Sequence, residues 1–178
     1  MNFSMNLDWQ PFEIAPPGSS PQSSRSIDSS EGVGDRLRAA AFAEIQARDA
    51  FRWAAGKFED APPALREAWL SLAVEEEKHM NWLLTRMTEL GLDVKARKVS
   101  DHLWHSLVSC KTAREFAIYM ANAEERGRQA GERFCQSLIT KDPVTAQIFG
   151  KIAQEEVAHI QLASRFFSTP LELSRPNS

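Results

Sequence analysis

The chain repeats one pattern of polar residues at an offset of 80 positions: a glutamate, and 32 residues later a Glu-x-x-His pair. The residues of the two copies are Glu44, Glu76 and His79, and then Glu124, Glu156 and His159. Each copy interrupts apolar stripes that recur every three to four residues, which is the spacing of one helix face. A repeat of this kind predicts two copies of one helical hairpin.

Four long segments carry this helical spacing and are separated by Pro and Gly. They cover residues 34–58, 63–91, 112–139 and 143–167. Ala, Leu and Glu far outnumber Val, Ile, Thr and Tyr, which favours helices over strands. We therefore expect an all-α fold.

The lengths of the connections predict the topology. The outer two are short, so helices 1 and 2, and helices 3 and 4, are expected to form antiparallel hairpins. The middle connection, 92–111, is long enough to run the length of a bundle, and Asp101 is placed to cap a short helix through Leu107. One long crossover between two hairpins is the topology of ferritin-like four-helix bundles. The bundle domain is expected to span 32–170.

Both ends of the chain lack helical spacing. Residues 1–31 are rich in Pro and Ser, and we expect a flexible, disordered tail there; 171–178 is expected to be a second tail. Within the first tail Trp9, Phe12 and Ile14 form a short apolar cluster. Docking of that cluster on the bundle or on a partner is the alternative to an unanchored tail.

Composition excludes several classes of protein. With 43% hydrophobic residues in 178 positions, one domain with a sizeable core is expected. No apolar run is long enough to span a bilayer and the N-terminus does not resemble a signal peptide, so we expect a cytoplasmic protein without membrane contact. The net charge of −3 argues against broad nucleic-acid binding. Cys110 and Cys135 are too few and too far apart for a disulfide framework or a thiolate metal site.

The spacing brings the repeated polar residues to one level of the predicted bundle. In each hairpin the two glutamates lie 16 residues to either side of the turn, so their carboxylates reach the same height. Glutamate and histidine three positions apart share a helix face and can bind one ion. Four buried carboxylates need counter-charge, which two divalent cations supply. Oxygen-rich ligation with imidazole favours iron or manganese, and we expect two Fe ions, with Mn or a mixed Fe/Mn pair as alternatives.

Several other residues are candidates for supporting roles. Glu75 and Glu155 are candidates to accept hydrogen bonds from the metal-bound imidazoles, with exposed helix charges as the alternative. The glutamates next to the six ligands leave the choice of ligand partly open. Gly127 and Gly131 would leave space beside Glu124, either for a substrate pocket or for close helix packing. Tyr119 is a redox candidate, with ordinary packing as the alternative. His102 and His105 are weak candidates for a second metal site.

The bundle resembles the ferritin-like di-iron carboxylate superfamily, and more closely a bacterial ferritin-like family of unknown function related to the di-iron tRNA hydroxylases. The segments that carry the resemblance are Glu44-Ile45-Gln46-Ala47, Glu76-x-x-His79 leading to Glu89-Leu90-Gly91, Asp101-His102-Leu103-Trp104, Glu124-Glu125-Arg126-Gly127, and Glu156-x-x-His159 ending in Arg165-Phe166-Phe167. The resemblance covers residues 34–168 and implies a two-iron centre, without implying an established substrate.

Three functions fit these ligands. The leading expectation is an O2-activating oxidase or oxygenase that acts on a small-molecule or tRNA-derived substrate. The second is an iron-handling ferroxidase or a peroxide-scavenging protein, with dioxygen or peroxide as the reaction partner. The third is a non-enzymatic interaction module with a structural metal pair. No disulfide partner is expected, and a homodimer is left open.

Overall fold

The computed structural model describes residues 7–19 and 22–167. The helices are α1 (Ser30–Lys57), α2 (Pro63–Glu89), α3 (His102–Val108), α4 (Ala113–Leu138) and α5 (Pro143–Phe166), with a 3₁₀ turn at Val94–Ala96. Within the described ranges there is no sheet, and one isolated bridge joins Ile14 and Val99. The all-α prediction is confirmed for these ranges, and all four long helices lie within a few residues of their expected bounds.

The chain divides into two units, residues 1–109 and 110–178. The first contains α1, α2 and α3, and the second contains α4 and α5. In each unit the two long helices pack against each other and are joined by a short connection, as the hairpin prediction requires. A single ferritin-like bundle over 32–170 stays a prediction, and the expected tail at 171–178 lies outside the described residues.

Local capping makes α1 begin earlier than the apolar spacing predicted. The Ser29 hydroxyl accepts a hydrogen bond from the Gly32 N–H at 3.0 Å, which satisfies one of the free donors at the helix start. Gly32 is required because a Cβ at this position would collide with the carbonyl of Ser26. After Lys57 the chain turns, and Pro63 starts α2 at a position where its missing N–H costs nothing.

Buried apolar side chains join α1 to α2. They include Leu37, Ala41, Phe51, Leu65, Trp69 and Leu83. The helix α2 ends at a glycine with left-handed backbone: Gly91 has φ 66°, and the Leu92 N–H donates to the Met87 carbonyl at 2.9 Å. This closure turns the chain away from α2 at the residue where the sequence predicted the helix to stop.

The short helix α3 lies where Asp101 predicted it, but its first turn is capped differently. Asp101 occupies the N-cap position without making a side-chain capping bond, and one of its oxygens lies 3.1 Å from His105 Nε2. Instead, the side-chain carbonyl of Gln46 on α1 accepts a hydrogen bond from the Trp104 N–H at 3.0 Å. A buried glutamine on α1 therefore satisfies a free donor of α3 and fixes α3 against α1.

The N-terminal segment differs from the unanchored tail that we expected. The Trp9 indole donates a hydrogen bond to Asp49 at 2.9 Å, and the Phe12 ring, which is 5% exposed, packs 5.0 Å from the ring of Phe42. Ile14 lies at the bridge to Val99. The apolar cluster docks on the first unit, as our alternative proposed, because it covers an aromatic face of α1. Residues 1–6, 20 and 21 lie outside the described ranges.

The second unit is a hairpin with capped helix starts. Thr112 accepts from the Glu115 N–H at 3.2 Å at the start of α4, and Asp142 accepts from the Thr145 N–H at 3.1 Å at the start of α5. The buried residues between the helices include Phe116, Ala117, Leu138, Phe149, Ile152 and Ala153. No helix in the described part of the chain has the length and apolar content needed to cross a membrane.

Candidate metal centre

In the first unit the predicted ligands come together on the facing sides of α1 and α2. Glu44 lies on α1, and Glu76 and His79 lie three positions apart on α2. Each offers a ligand atom, and these atoms lie within 4.8 Å of one another. His79 Nδ1 is 3.8 Å from Glu76 Oε2. Both α2 side chains are fully buried (0% exposed), whereas Glu44 is half-buried.

The second unit repeats this arrangement. Glu124 lies on α4, and Glu156 and His159 lie on α5; all three are buried. His159 Nδ1 is 3.2 Å from Glu156 Oε2 and 3.7 Å from Glu124 Oε2. In both units the imidazole turns the same atom, Nδ1, toward the carboxylates. Each hairpin thus carries one half-site of two carboxylates and one imidazole.

The donor set of a half-site fits a divalent cation. A carboxylate buried without counter-charge is costly, and two in one place repel each other. One divalent ion balances the two negative charges, and an imidazole that binds through Nδ1 completes a mixed oxygen and nitrogen shell. Oxygen-rich sets with imidazole suit iron and manganese, and no cysteine belongs to either half-site. The residues therefore can hold a metal ion; its identity stays a prediction.

Burial distinguishes the predicted ligands from the glutamates beside them. Glu77, next to Glu76, is half-buried and pairs with Arg52 at 3.0 Å. Glu125, next to Glu124, accepts two hydrogen bonds from Arg128, at 2.7 and 2.9 Å. The bonds from Arg128 outweigh partial burial and lower the pKa of Glu125. Both of these carboxylates are thus bound by guanidinium groups, and burial favours Glu76 and Glu124 over them as ligands.

Glu75 and Glu155 are both half-buried. Hydrogen bonds donated to these carboxylates by the imidazoles of His79 and His159 stay a prediction. The Trp82 ring lies 5.5 Å from the His79 imidazole, tilted by 44°. Because Trp82 is three residues after His79, it covers the imidazole from the next helical turn, and i to i+3 spacing is the signal that identifies it.

Gly127 and Gly131 do not line a common internal space. A Cβ on Gly131 would lie 3.4 Å from the Phe149 carbonyl oxygen and 3.7 Å from the Ala153 Cβ, so Gly131 lets α4 approach α5 closely. Gly127 is exposed, with no atom within 4 Å of the position of its Cβ. Gly127 lies three residues after Glu124, where a helix has turned by roughly 60°, and it faces solvent. Tyr119 is also exposed (36%).

The remaining candidates lie apart from the half-sites. His102 is exposed, and His105 contacts Asp101. Among the described residues, no further group of three potential ligands includes either histidine. Cys110 and Cys135 are free thiols. Burial, and then the charge of Glu115, raises the pKa of the Cys110 thiol.

Comparison with known proteins gives one result. A family model described as "Protein of unknown function (DUF455)" matches residues 10–176. The chain belongs to this family. No curated protein and no solved structure gives a significant match. The match begins at residue 10, so it includes the segment with Phe12 and Ile14 that docks on α1. The ferritin-like di-iron resemblance rests on the segments named above and stays a prediction.

Proposed function

We propose that each hairpin supplies the ligands of one transition-metal ion and that the protein carries out redox chemistry of dioxygen or peroxide at the resulting metal pair. The observation that carries the proposal is the duplication of one buried donor set: two glutamates and a histidine Nδ1 in each unit. The packing of apolar side chains alone does not require the same set of buried polar residues in both units. The identical spacing along the chain supports the same role for both half-sites.

The residues have separate tasks in this centre. Glu76 and Glu156 bind as anions, and each is held in place by its own helix and full burial. His79 and His159, whose Nδ1 atoms lie near the carboxylates, would hold the ions as neutral imidazoles. Glu44 is less buried than its partners, and we assign it to the side of the centre where water and substrate enter. Two iron ions bound here would supply electrons to dioxygen or peroxide.

The surroundings of two glycines favour one of the two redox candidates. An organic substrate needs room, and the case for that room rested on Gly127 and Gly131. Gly131 is in contact with α5 and Gly127 is at the surface, so neither supports a pocket beside Glu124. We therefore put iron handling, as a ferroxidase or peroxide scavenger, ahead of the oxygenase that the sequence favoured. Fe²⁺ is then the substrate: each ion gives up one electron, and dioxygen takes two electrons and two protons to become hydrogen peroxide.

Metal content tests the ligand assignment. The protein from iron-supplemented cells is expected to hold close to two transition-metal ions per chain by elemental analysis. Glu76→Gln and His159→Ala are expected to lower this sharply, whereas the neighbouring Glu77→Gln, which removes a carboxylate bound by Arg52, leaves it unchanged. Full metal occupancy in Glu76→Gln and His159→Ala would refute the assignment.

Oxygen consumption tests the function. Metal-free protein mixed with Fe²⁺ in air is expected to oxidise the iron and take up oxygen faster than buffer, without any organic compound. Glu76→Gln is expected to lose this activity and Glu77→Gln to keep it. Oxygen uptake that requires an added organic substrate and reductant would restore the oxygenase. A protein with two metal ions that oxidises iron no faster than buffer, with either dioxygen or hydrogen peroxide, would instead have a structural metal pair.

A further inference from the structure

A cavity of ≈ 690 Å³ lies in the first unit, on a different face of α1 from Glu44. Its α1 wall is formed by Ala39, Phe42, Ala43 and Gln46. These residues centre roughly 150° round the helix axis from Glu44, so the cavity is separated from the metal half-site by the helix itself. The volume lies in the range of small-molecule sites, about 300–1,000 Å³.

The charges that line the cavity are mostly positive, although the whole chain has a net charge of −3. The basic residues at its wall are Arg38, Lys95, Arg97 and Lys98, and the acidic ones are Glu13 and Asp35. Among the described residues, Lys95 and Lys98 form no ion pair. The wall therefore carries more positive charge than its own acids neutralise.

One buried carboxylate holds three guanidinium groups at the base of this wall. The Asp35 carboxylate oxygens form ion pairs with guanidinium nitrogens of Arg25 at 2.7 Å, of Arg97 at 2.6 Å and of Arg38 at 3.1 Å. A single negative charge cannot neutralise three positive ones. Burial is the larger cause that lowers the pKa of Arg38, and repulsion from Arg25 and Arg97 adds to it. An anion from solution would relieve this repulsion.

Arg97 retains donors for such an anion. Its Nε donates to Gln22, and its Nη1 donates to Asp35 and to the Ser23 carbonyl. Its Nη2 donates no hydrogen bond within the described residues, although the side chain is only 20% exposed. With Nε and Nη1 bound, the guanidinium is held in a fixed orientation, and the two N–H groups of Nη2 are left to donate to an oxygen of a carboxylate or phosphate.

The rest of the wall is apolar. Phe42, Val99 and Leu103 line the cavity together with alanine side chains. A bare inorganic ion would leave this surface in contact with water. We propose that the cavity binds a small organic anion, in which a carboxylate or phosphate group meets the basic residues and an apolar body lies against Phe42. This site is distinct from the metal centre and does not depend on the proposed function.

Ala39 allows a test that leaves the charge cluster intact. It lines the cavity from an exposed position on α1, so a longer side chain there extends over the cavity without entering the core. The probes are phenyl phosphate, inorganic phosphate and benzyl alcohol, measured by calorimetry on the protein as purified. The variants are Ala39→Glu, its uncharged match Ala39→Gln, the pair Lys95→Gln with Lys98→Gln, and the exposed control Lys57→Gln.

Phenyl phosphate is expected to bind saturably, and more tightly than inorganic phosphate, while benzyl alcohol does not bind. Ala39→Glu is expected to weaken phenyl phosphate binding about tenfold relative to Ala39→Gln, since it places a like charge near the bound anion. The double lysine variant is also expected to weaken it, and Lys57→Gln to leave it unchanged. Equal binding by Ala39→Glu and Ala39→Gln would place the anion elsewhere, including at the metals. Absence of saturable binding, or equal affinity for inorganic phosphate, would overturn the organic anion.

Discussion

The carboxylate of Asp35 is expected to contribute more to stability than any surface ion pair in the chain. Its side chain is 4% exposed, and it holds the equally buried Arg38 and the mostly buried Arg97, besides the more exposed Arg25. Replacing it by asparagine, as Asp35→Asn, keeps the shape but removes the negative charge. Arg38 then stays buried, bound to the carbonyls of Asp93 and Val94 but without a counter-charge.

The expected cost follows from this geometry. Removing one partner of a fully buried ion pair costs about 3–5 kcal/mol. Arg25 adds little, since pairs with an exposed partner contribute at most about 1 kcal/mol. The amide oxygen of asparagine still accepts some of the hydrogen bonds, so we expect a loss near the lower limit, about 3 kcal/mol at pH 7. Urea unfolding measures it, with Glu132→Gln, which changes an exposed carboxylate beside Arg128, as the control.

The pH dependence gives a second measurement. Burial alone would raise the pKa of Asp35, but the hydrogen bonds from Arg25 and Arg97 outweigh it and hold that pKa well below its usual range. A carboxylate whose pKa is lowered by folding stabilises the protein above its unfolded pKa, about 3.9, and loses this contribution as the pH falls toward the folded value. The difference between wild type and Asp35→Asn is therefore expected to be constant from pH 7 to 5 and to shrink below pH 4. A loss under about 1 kcal/mol at pH 7, or one that does not shrink in acid, would refute this account.

Three further predictions concern packing and metal. Gly131→Leu is expected to destabilise the protein by about 1–3 kcal/mol, because the leucine side chain would enter the contact with Phe149 and Ala153. Gly127→Ala is expected to stabilise the protein by up to about 1 kcal/mol. Thermal unfolding of both variants checks these two predictions. Gln46→Leu is expected to cost about 1–3 kcal/mol because it leaves the Trp104 N–H buried without its acceptor, and hydrogen exchange at that amide should rise more than at amides of α5. Removing metal with a chelator is expected to lower the melting temperature at neutral pH, and Glu76→Gln to be insensitive to the chelator; an equal response in both proteins would argue against a metal bound by Glu76.

The sequence predicted the helices and the half-sites because both follow from local periodicity. Glu76 and His79 are three residues apart, so they lie on one helix face however the helices pack. The apolar stripe through them predicts their burial. The short connections then bring the stripe of each helix against its hairpin partner. Local periodicity did not predict the position of Gly127. It lies only three residues after Glu124, but the turn of the helix carries it toward solvent.

The second buried face of α1 could not be predicted in the same way. Phe42, Gln46 and Asp49 lie on a side of α1 that α2 does not cover. The N-terminal segment and α3 bury these residues. These partners are far away in sequence and have no helical periodicity that points to α1. A polar residue such as Gln46 is ordinarily assigned to solvent, and only the position of the Trp104 amide shows what it bonds.

The two faces of α1 also explain why this helix has so many buried charges. On one side Glu44 faces α2, and on the other Asp35 and Arg38 face the segment that follows α2. A helix that is buried on two sides has little solvated surface for its charges, and the buried ones need partners. For Asp35 the partners are three arginines. We propose that Glu44 can bind a metal ion, and that the surplus of positive charge around Asp35 binds an organic anion.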